Sequence, residues 1–205
     1  MLDISLAEDV RRFSETLTDF SRTQLPFATV RALTRTVQIA SDQVVRGLPL
    51  TFDRPTPWTM KSIGIETAKK STMQARVFVK DLQTPYLLLQ EEGGFNQPKK
   101  VALVTPKGVR LNRYGNIAHR ALAKAKARVG KNGQSKVFVG TIKGVGGFWE
   151  RDDKNGTVRL LVRFEGAKKV TPHPFFFPAV ETIIRRDFDR ILLGALEDAL
   201  ATARP

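Results

Sequence analysis

The sequence predicts an α+β fold: a central antiparallel or mixed sheet, two N-terminal helices, a basic middle helix and a long C-terminal helix. Three observations carry this. Apolar residues recur at three- and four-residue spacing towards both ends of the chain, β-leaning alternating runs gather in the middle, and 41% of the 205 residues are hydrophobic, enough for a sizeable core. No internal repeat is visible and nothing in the composition forces a boundary. Residues 1–205 therefore read as one domain, with a Pro/aromatic arm at 48–59 and a basic segment at 93–149.

Taken in order, Ser5 followed by Glu8 reads as a capping box. Val10, Phe13, Leu17 and Phe20 behind it predict a first helix over about 6–21. Pro26 suits the first turn of a second helix, whose Val30, Leu33, Val37, Ala40 and Val44 make an apolar face before Gly47 stops it. Pro49, Pro55 and Pro57 then bar regular structure through LPLTFDRPTPWT, while Phe52 and Trp58 give that arm something to bury. An ordered arm is expected rather than a flexible linker. Residues 63–69 and 73–80 predict a hairpin turning at Lys70, Ser71 and Thr72, and 86–92 predict a short helix ended by Gly93 and Gly94.

Between 99 and 116 no element stands out, except that Asn116 suits the cap of an alanine-rich helix over 117–129 that Gly130 and Gly133 end. Residues 137–142 and 157–164 read as strands. Gly144, Gly146 and Gly147 loosen one end of them, and Asp152, Asp153, Lys154, Asn155 and Gly156 make a turn. The stretch PHPFFFP at 172–178 delivers the chain to a last helix, where Val180, Ile183, Ile184, Phe188, Ile191, Leu192, Ala195, Leu196 and Leu200 form a broad apolar face.

Charge is the most informative feature. Thirty-four Lys and Arg against 20 Asp and Glu leave +14, which attracts nucleic acid, anionic membrane or an acidic protein. The excess is local: 1–92 and 150–205 each carry +1, and the 57 residues from 93 to 149 hold 12 basic residues and no acid. Arg120, Lys124 and Arg128 recur every four residues and would form one helical stripe, joined by Arg113, Lys126 and Lys131 as an anion-facing set. Like charges at that spacing repel by a few tenths of a kcal/mol per pair, a strain that a polyanion relieves. The alternatives are a merely solvated basic face or a scaffold docking on an acidic protein.

Enzyme motifs fail on inspection. With no cysteine there is no disulfide, thiolate nucleophile or Cys-based metal centre, and His119 and His173 stand 54 positions apart. GKNGQSK at 130–136 lacks the Gly-Lys-Ser/Thr ending of a phosphate loop, the glycines near Gly144 lack a dinucleotide spacing, and no Gly-x-Ser-x-Gly elbow occurs. Asp152 and Asp153 are adjacent in a turn, with nothing to raise either pKa. No catalytic residue, cofactor or metal is expected. No run of 18 apolar residues and no secretory signal is present, so a cytoplasmic product without a membrane partner is expected.

The strings LPFATVRALTRT at 25–36, FDRPTPWT at 52–59, ARVFVKD at 75–81, PYLLLQEEGG at 85–94 and HPFFFPAVE at 173–181 resemble, in their order, a family of phage and prophage tail-completion proteins of the minor tail protein Z type. The resemblance covers most of the chain, least at the first helix and around Lys131. It implies a non-enzymatic virion protein of the neck, made in the host cytoplasm, where head connector meets tail: a homo-oligomeric ring, hexameric by the tail's symmetry, around the DNA channel. Its partners would be neighbouring neck, connector and tail-terminator or tail-tube proteins, with non-specific contact to phage DNA. The family's proline-aromatic arm falls on Phe52, Pro55, Pro57 and Trp58, where contacts between subunits are expected. The competing class is a freestanding, sequence-independent nucleic-acid-binding module. For single strands that module would want aromatics interleaved with its cations, and Phe95, Tyr114, Phe138, Phe148 and Trp149 lie mostly outside the basic helix.

Overall fold

A computed structural model describes residues 24–99, 101–118, 120–129, 136–151 and 156–202. The expected first helix, the Gly130 and Gly133 stop and the turn at 152–155 lie outside the described residues. The class is α+β, ending in a long C-terminal helix. The chain gathers into two compact units, one containing 24–51, 57–85 and 174–202, the other 52–56 and 86–173. The first unit is assembled from three separated stretches, so no linker of distinctive composition marks its border.

In the first unit, helix α1 (Leu25–Thr51) buries Ala28, Ala32, Thr36, Ala40, Val44 and Leu48, one residue every four. Helix α5 (Phe177–Thr202) buries Ile183, Asp187 and Ala199 and makes the most extensive packing partner of α1. Arg31 Nη2 lies 3.0 Å from Asp198 Oδ2, joining the start of α1 to the end of α5, so the two helices run antiparallel. Contrary to expectation, α1 does not stop at Gly47; it continues through Pro49 to Thr51. Pro49 sits in the last turn, where the missing N–H forfeits a single bond, and Leu48 beside it is fully buried. Burying a leucine contributes about 1.5–3 kcal/mol, enough to offset that loss. The Thr51 hydroxyl also donates to the Gly47 carbonyl at 3.2 Å.

The arm beyond is likewise more regular than expected, since Pro57 opens a single helical turn, α2 (Pro57–Met60). Strands β1 (Ile63–Glu66) and β2 (Arg76–Val79) then pair antiparallel, from Ile63 opposite Val79 to Glu66 opposite Arg76, and pack on α1. Their turn falls where the sequence places it: the N–H groups of Thr72 and Met73 both donate to the Lys69 carbonyl.

Helix α3 (Thr84–Glu92) ends at Gly93, whose N–H donates to the Leu89 carbonyl at 3.0 Å and whose φ of +75° then turns the chain out of the helix. In the second unit, β3 (Gly94–Asn96) pairs with β8 (Lys168–Val170). Four further strands, β4 (Leu103–Pro106), β5 (Val137–Ile142), β6 (Val145–Arg151) and β7 (Val158–Glu165), form an antiparallel sheet in the order β4-β7-β6-β5. Among the described residues the strands thus form three separate antiparallel sheets rather than one central sheet.

Strand β6 occupies the glycine-rich stretch read as loose. Lys143 and Gly144, both at positive φ, make the two-residue turn whose twist matches a hairpin, with Ile142 opposite Val145. Gly147 is required for the next contact, because a Cβ there would lie 2.1 Å from the Val162 carbonyl oxygen. The β6–β7 register then skips Leu161, with Phe148 opposite Val162 and Trp149 opposite Leu160. Leu161 and Val162 are both buried as a result, with Ala125, Val137 and Phe148. Phe148 and Phe164 meet edge to face at 5.3 Å.

The basic middle helix is shorter than expected: α4 spans Ala121–Ala127, and Asn116 does not cap it. Asn112 competes for that stretch. Its Oδ1 accepts the N–H groups of Tyr114 and Asn116 at 2.9 and 3.1 Å, and its own N–H donates to the Asn116 carbonyl, closing 111–117 as a tight loop.

Two glycine variants separate these constraints. Gly147→Ala should destabilise the protein by roughly 2–4 kcal/mol, since carbonyl and Cβ cannot share that space. Gly47→Ala, with nothing within 4 Å of the added methyl, should stabilise by about 0.5–1 kcal/mol. Urea unfolding midpoints measure both.

Candidate functional site

The charge asymmetry follows the two units. Segments 52–56 and 86–173 hold 19 Lys and Arg against seven Asp and Glu, and so carry +12 of the total +14. Within them the residues of the expected stripe are joined by backbone bonds at four-residue spacing, Lys124 N–H to the Arg120 carbonyl at 2.8 Å and Arg128 N–H to the Lys124 carbonyl at 3.2 Å. Of Arg120, Lys124 and Arg128, only Lys124 lies inside α4; Arg120 precedes it with φ 64° and Arg128 follows it. Lys126 shares the helix, and Arg113 stands in the 111–117 loop with its guanidinium over the Tyr114 ring at 4.8 Å. Lys131 lies outside the described residues.

Arg128 is also not free for an external anion. Its Nη2 donates to Glu150 Oε1 at 2.7 Å, while Arg159 Nη2 donates to Oε2 at 2.6 Å. The Glu150 side chain is only 12% exposed, yet its carboxyl is held below the usual range, first by the Arg159 hydrogen bond and then by Arg128, against burial that pushes it up. Glu150 is the first acid after the acid-free segment. Its role depends on β6, the strand hidden by its glycines, so sequence spacing carried no signal for it. Exposed cations remaining among the expected set are Arg113, Arg120, Lys124 and Lys126.

The four arm residues divide between the two units. Phe52 and Pro55, both half-buried, group with the second unit, and Pro57 and Trp58 with the first. Trp58 is 53% exposed and lines a cleft of about 540 Å³ with Pro57, Lys61, Lys80, Asp81, Leu82 and Gln83. Leu82 beside it is 76% exposed, so this is an apolar surface offered to solvent and not part of a core. The second unit has a groove of its own, about 500 Å³, lined by Val101, Ala102, Val104, Leu122, Phe148 and Phe164 with Lys99 and Lys126 as its only charged residues.

Two further acid and base positions among the described residues are tied to structural partners. Asp187, buried on α5, is held below the usual carboxylate range by Arg186 (2.8 Å) and then Arg190 (3.1 Å), an ion-pair network on one helix. His173 is a backbone-bound loop residue: its N–H donates to the Gln90 carbonyl and its Nδ1 lies 2.9 Å from the Thr171 carbonyl oxygen. His119 lies outside the described residues. Among the described residues no group of three or more His, Cys, Asp or Glu is placed to hold a metal, and no helix is long and apolar enough to cross a membrane.

Against this arrangement, comparison with known families, curated proteins and solved structures yields no match.

The Glu150 bridge has a pH signature. A carboxyl whose folded pKa is depressed stabilises the fold above the ordinary glutamate value of about 4.3, and loses that contribution as pH falls through the folded value. Glu150→Gln should therefore cost about 1–2 kcal/mol at neutral pH, with the gap closing below about pH 4, as read by urea unfolding across that range.

Proposed function

We propose that this protein is a non-enzymatic structural component of the neck of a tailed phage, a tail-completion protein that forms a ring around the DNA channel with its basic unit towards the DNA. The observation that carries this reading is the segregation of charge: one compact unit holds nearly all of the excess, as a surface lining a polyanion's path would. A channel must release DNA, so diffuse phosphate contacts fit better than base readout. Exposed Arg113, Arg120 and Lys124 suit that role, each presenting a charge outside the groove that Lys126 lines. The ordered segment strings quoted above, from LPFATVRALTRT to HPFFFPAVE, support the family.

The Trp58–Leu82 cleft supports assembly. Aromatic anchors concentrate binding energy at interfaces, and a half-exposed tryptophan beside an exposed leucine is an unpaid cost in the isolated chain. Oligomeric state is the test. Sedimentation velocity should find a closed assembly near six times 22.9 kDa, and Trp58→Ala should shift it towards monomer while moving the unfolding free energy by no more than about 1 kcal/mol. A monomer at every concentration, with and without DNA, would overturn the ring. Gross unfolding of the variant would place Trp58 in a core instead.

A further inference from the structure

We propose that the groove between β4 and α4 captures an extended, acidic, apolar segment of a partner protein by adding it as a strand to β4. The inference needs only the second unit's own geometry and stands apart from the ring. Strand β4 is the edge of its four-stranded sheet: one side pairs with β7, and among the described residues no strand pairs with the other. The unpaired edge of this four-residue strand offers backbone carbonyls and, at every residue but Pro106, N–H donors, the grip used in strand addition.

The groove beside that edge decides which peptide fits. Val104 lies opposite Phe164 in the β4–β7 ladder, so both point to the face that Phe148 shares, and α4 contributes Leu122 and Lys126 across from them. Val101, just before β4, is 96% exposed, and Val104 is 40% exposed. A volume of about 500 Å³ lies within the range of binding pockets. An added strand turns every second side chain to one face, so apolar residues at alternate positions would fill it. Lys99 and Lys126 at its rim, with no acid among the lining residues, select carboxylates on that segment. A nucleic acid is a poorer occupant. Phe148 is buried and meets Phe164 edge to face, so neither ring is laid open as a platform for a base.

The test uses the full chain and a fluorescein-labelled seven-residue peptide alternating glutamate with valine and phenylalanine, followed by anisotropy. Saturable binding is expected, weakened about tenfold or more when lysine replaces each glutamate, and likewise by the double variant Lys99→Glu/Lys126→Glu. Val101→Glu should weaken it too with the fold unchanged, as that side chain is already in solvent. Two further peptides carry N-methyl groups on the odd or on the even amides. Strand addition predicts that one set abolishes binding and the other does not, since only alternate amides face the edge. The proposal is overturned by absence of saturable binding, by equal binding to the double variant, by loss or retention with both methylated sets, or by duplex DNA competing for the groove more tightly than the peptide. None of these readouts depends on whether the protein forms a ring.

Discussion

The packing of α1 on α5 is the constraint on which the rest of the chain depends. Residues spaced by four advance about 400° around a helix, so the buried row from Ala28 to Leu48 precesses by about 40° per step and presents a ridge rather than a straight seam. That ridge serves α5 and the β1–β2 hairpin together. Its first members are alanines, which let a neighbouring backbone approach closely, and its last, Val44 and Leu48, supply bulk. Because the two helices come from opposite ends of the described chain, their pairing closes everything between them into one loop. The entropy of such closure grows only slowly with length, which is how an 88-residue stretch, 86–173, is carried as an insertion with a core of its own.

Within that insertion, electrostatics and packing are divided between different residues. Glu150 draws Arg128 and Arg159 to one carboxylate at the end of the sheet, turning two of the surplus cations into structure. Thr105 and Arg163 hold Glu165 in the same way, the threonine hydroxyl at 2.7 Å from Oε2. The carboxylates of this unit that are described as paired are thus spent on its own arginines, and the exposed lysines of α4 keep their charge for something else. A unit so loaded repels itself, and a binding partner of opposite sign relieves that repulsion.

Much of this was legible in the sequence because it is local. The turn at Lys70–Thr72, the Gly93 stop of α3 and the existence of α1 and α5 each follow from neighbours within a turn or two. The faces read for the two long helices do not match: only Ala40 and Val44 of the α1 set and Ile183 of the α5 set are buried, while Ile184 and Leu200 are exposed and Ala28, Ala32, Thr36 and Leu48 take the buried row instead. Strand β6 was not legible: Gly146 and Gly147 argue against a strand until one sees that Val162 of β7 leaves no room for a Cβ at 147. Helix α4 was overdrawn for a similar reason, since Asn112 binds the backbone of 114 and 116 in a loop that alanine content does not reveal. The stripe of Arg120, Lys124 and Arg128 accordingly rests on one helical residue and the helix's two caps. The β4–α4 groove lies further beyond sequence reach, because Val104 and Phe164 meet across 60 positions. What survived from the charge arithmetic is its location, which coincides with the inserted unit.

The central claim is that this unit's surplus charge meets the phosphate backbone of DNA, and the salt dependence of duplex binding tests it most directly. The account predicts sequence-independent binding whose log–log slope against salt falls by up to about 2.7 when Arg113, Arg120 and Lys124 are changed together to Gln. An unchanged slope in that variant, or no duplex binding by the assembled protein at low salt, would contradict it.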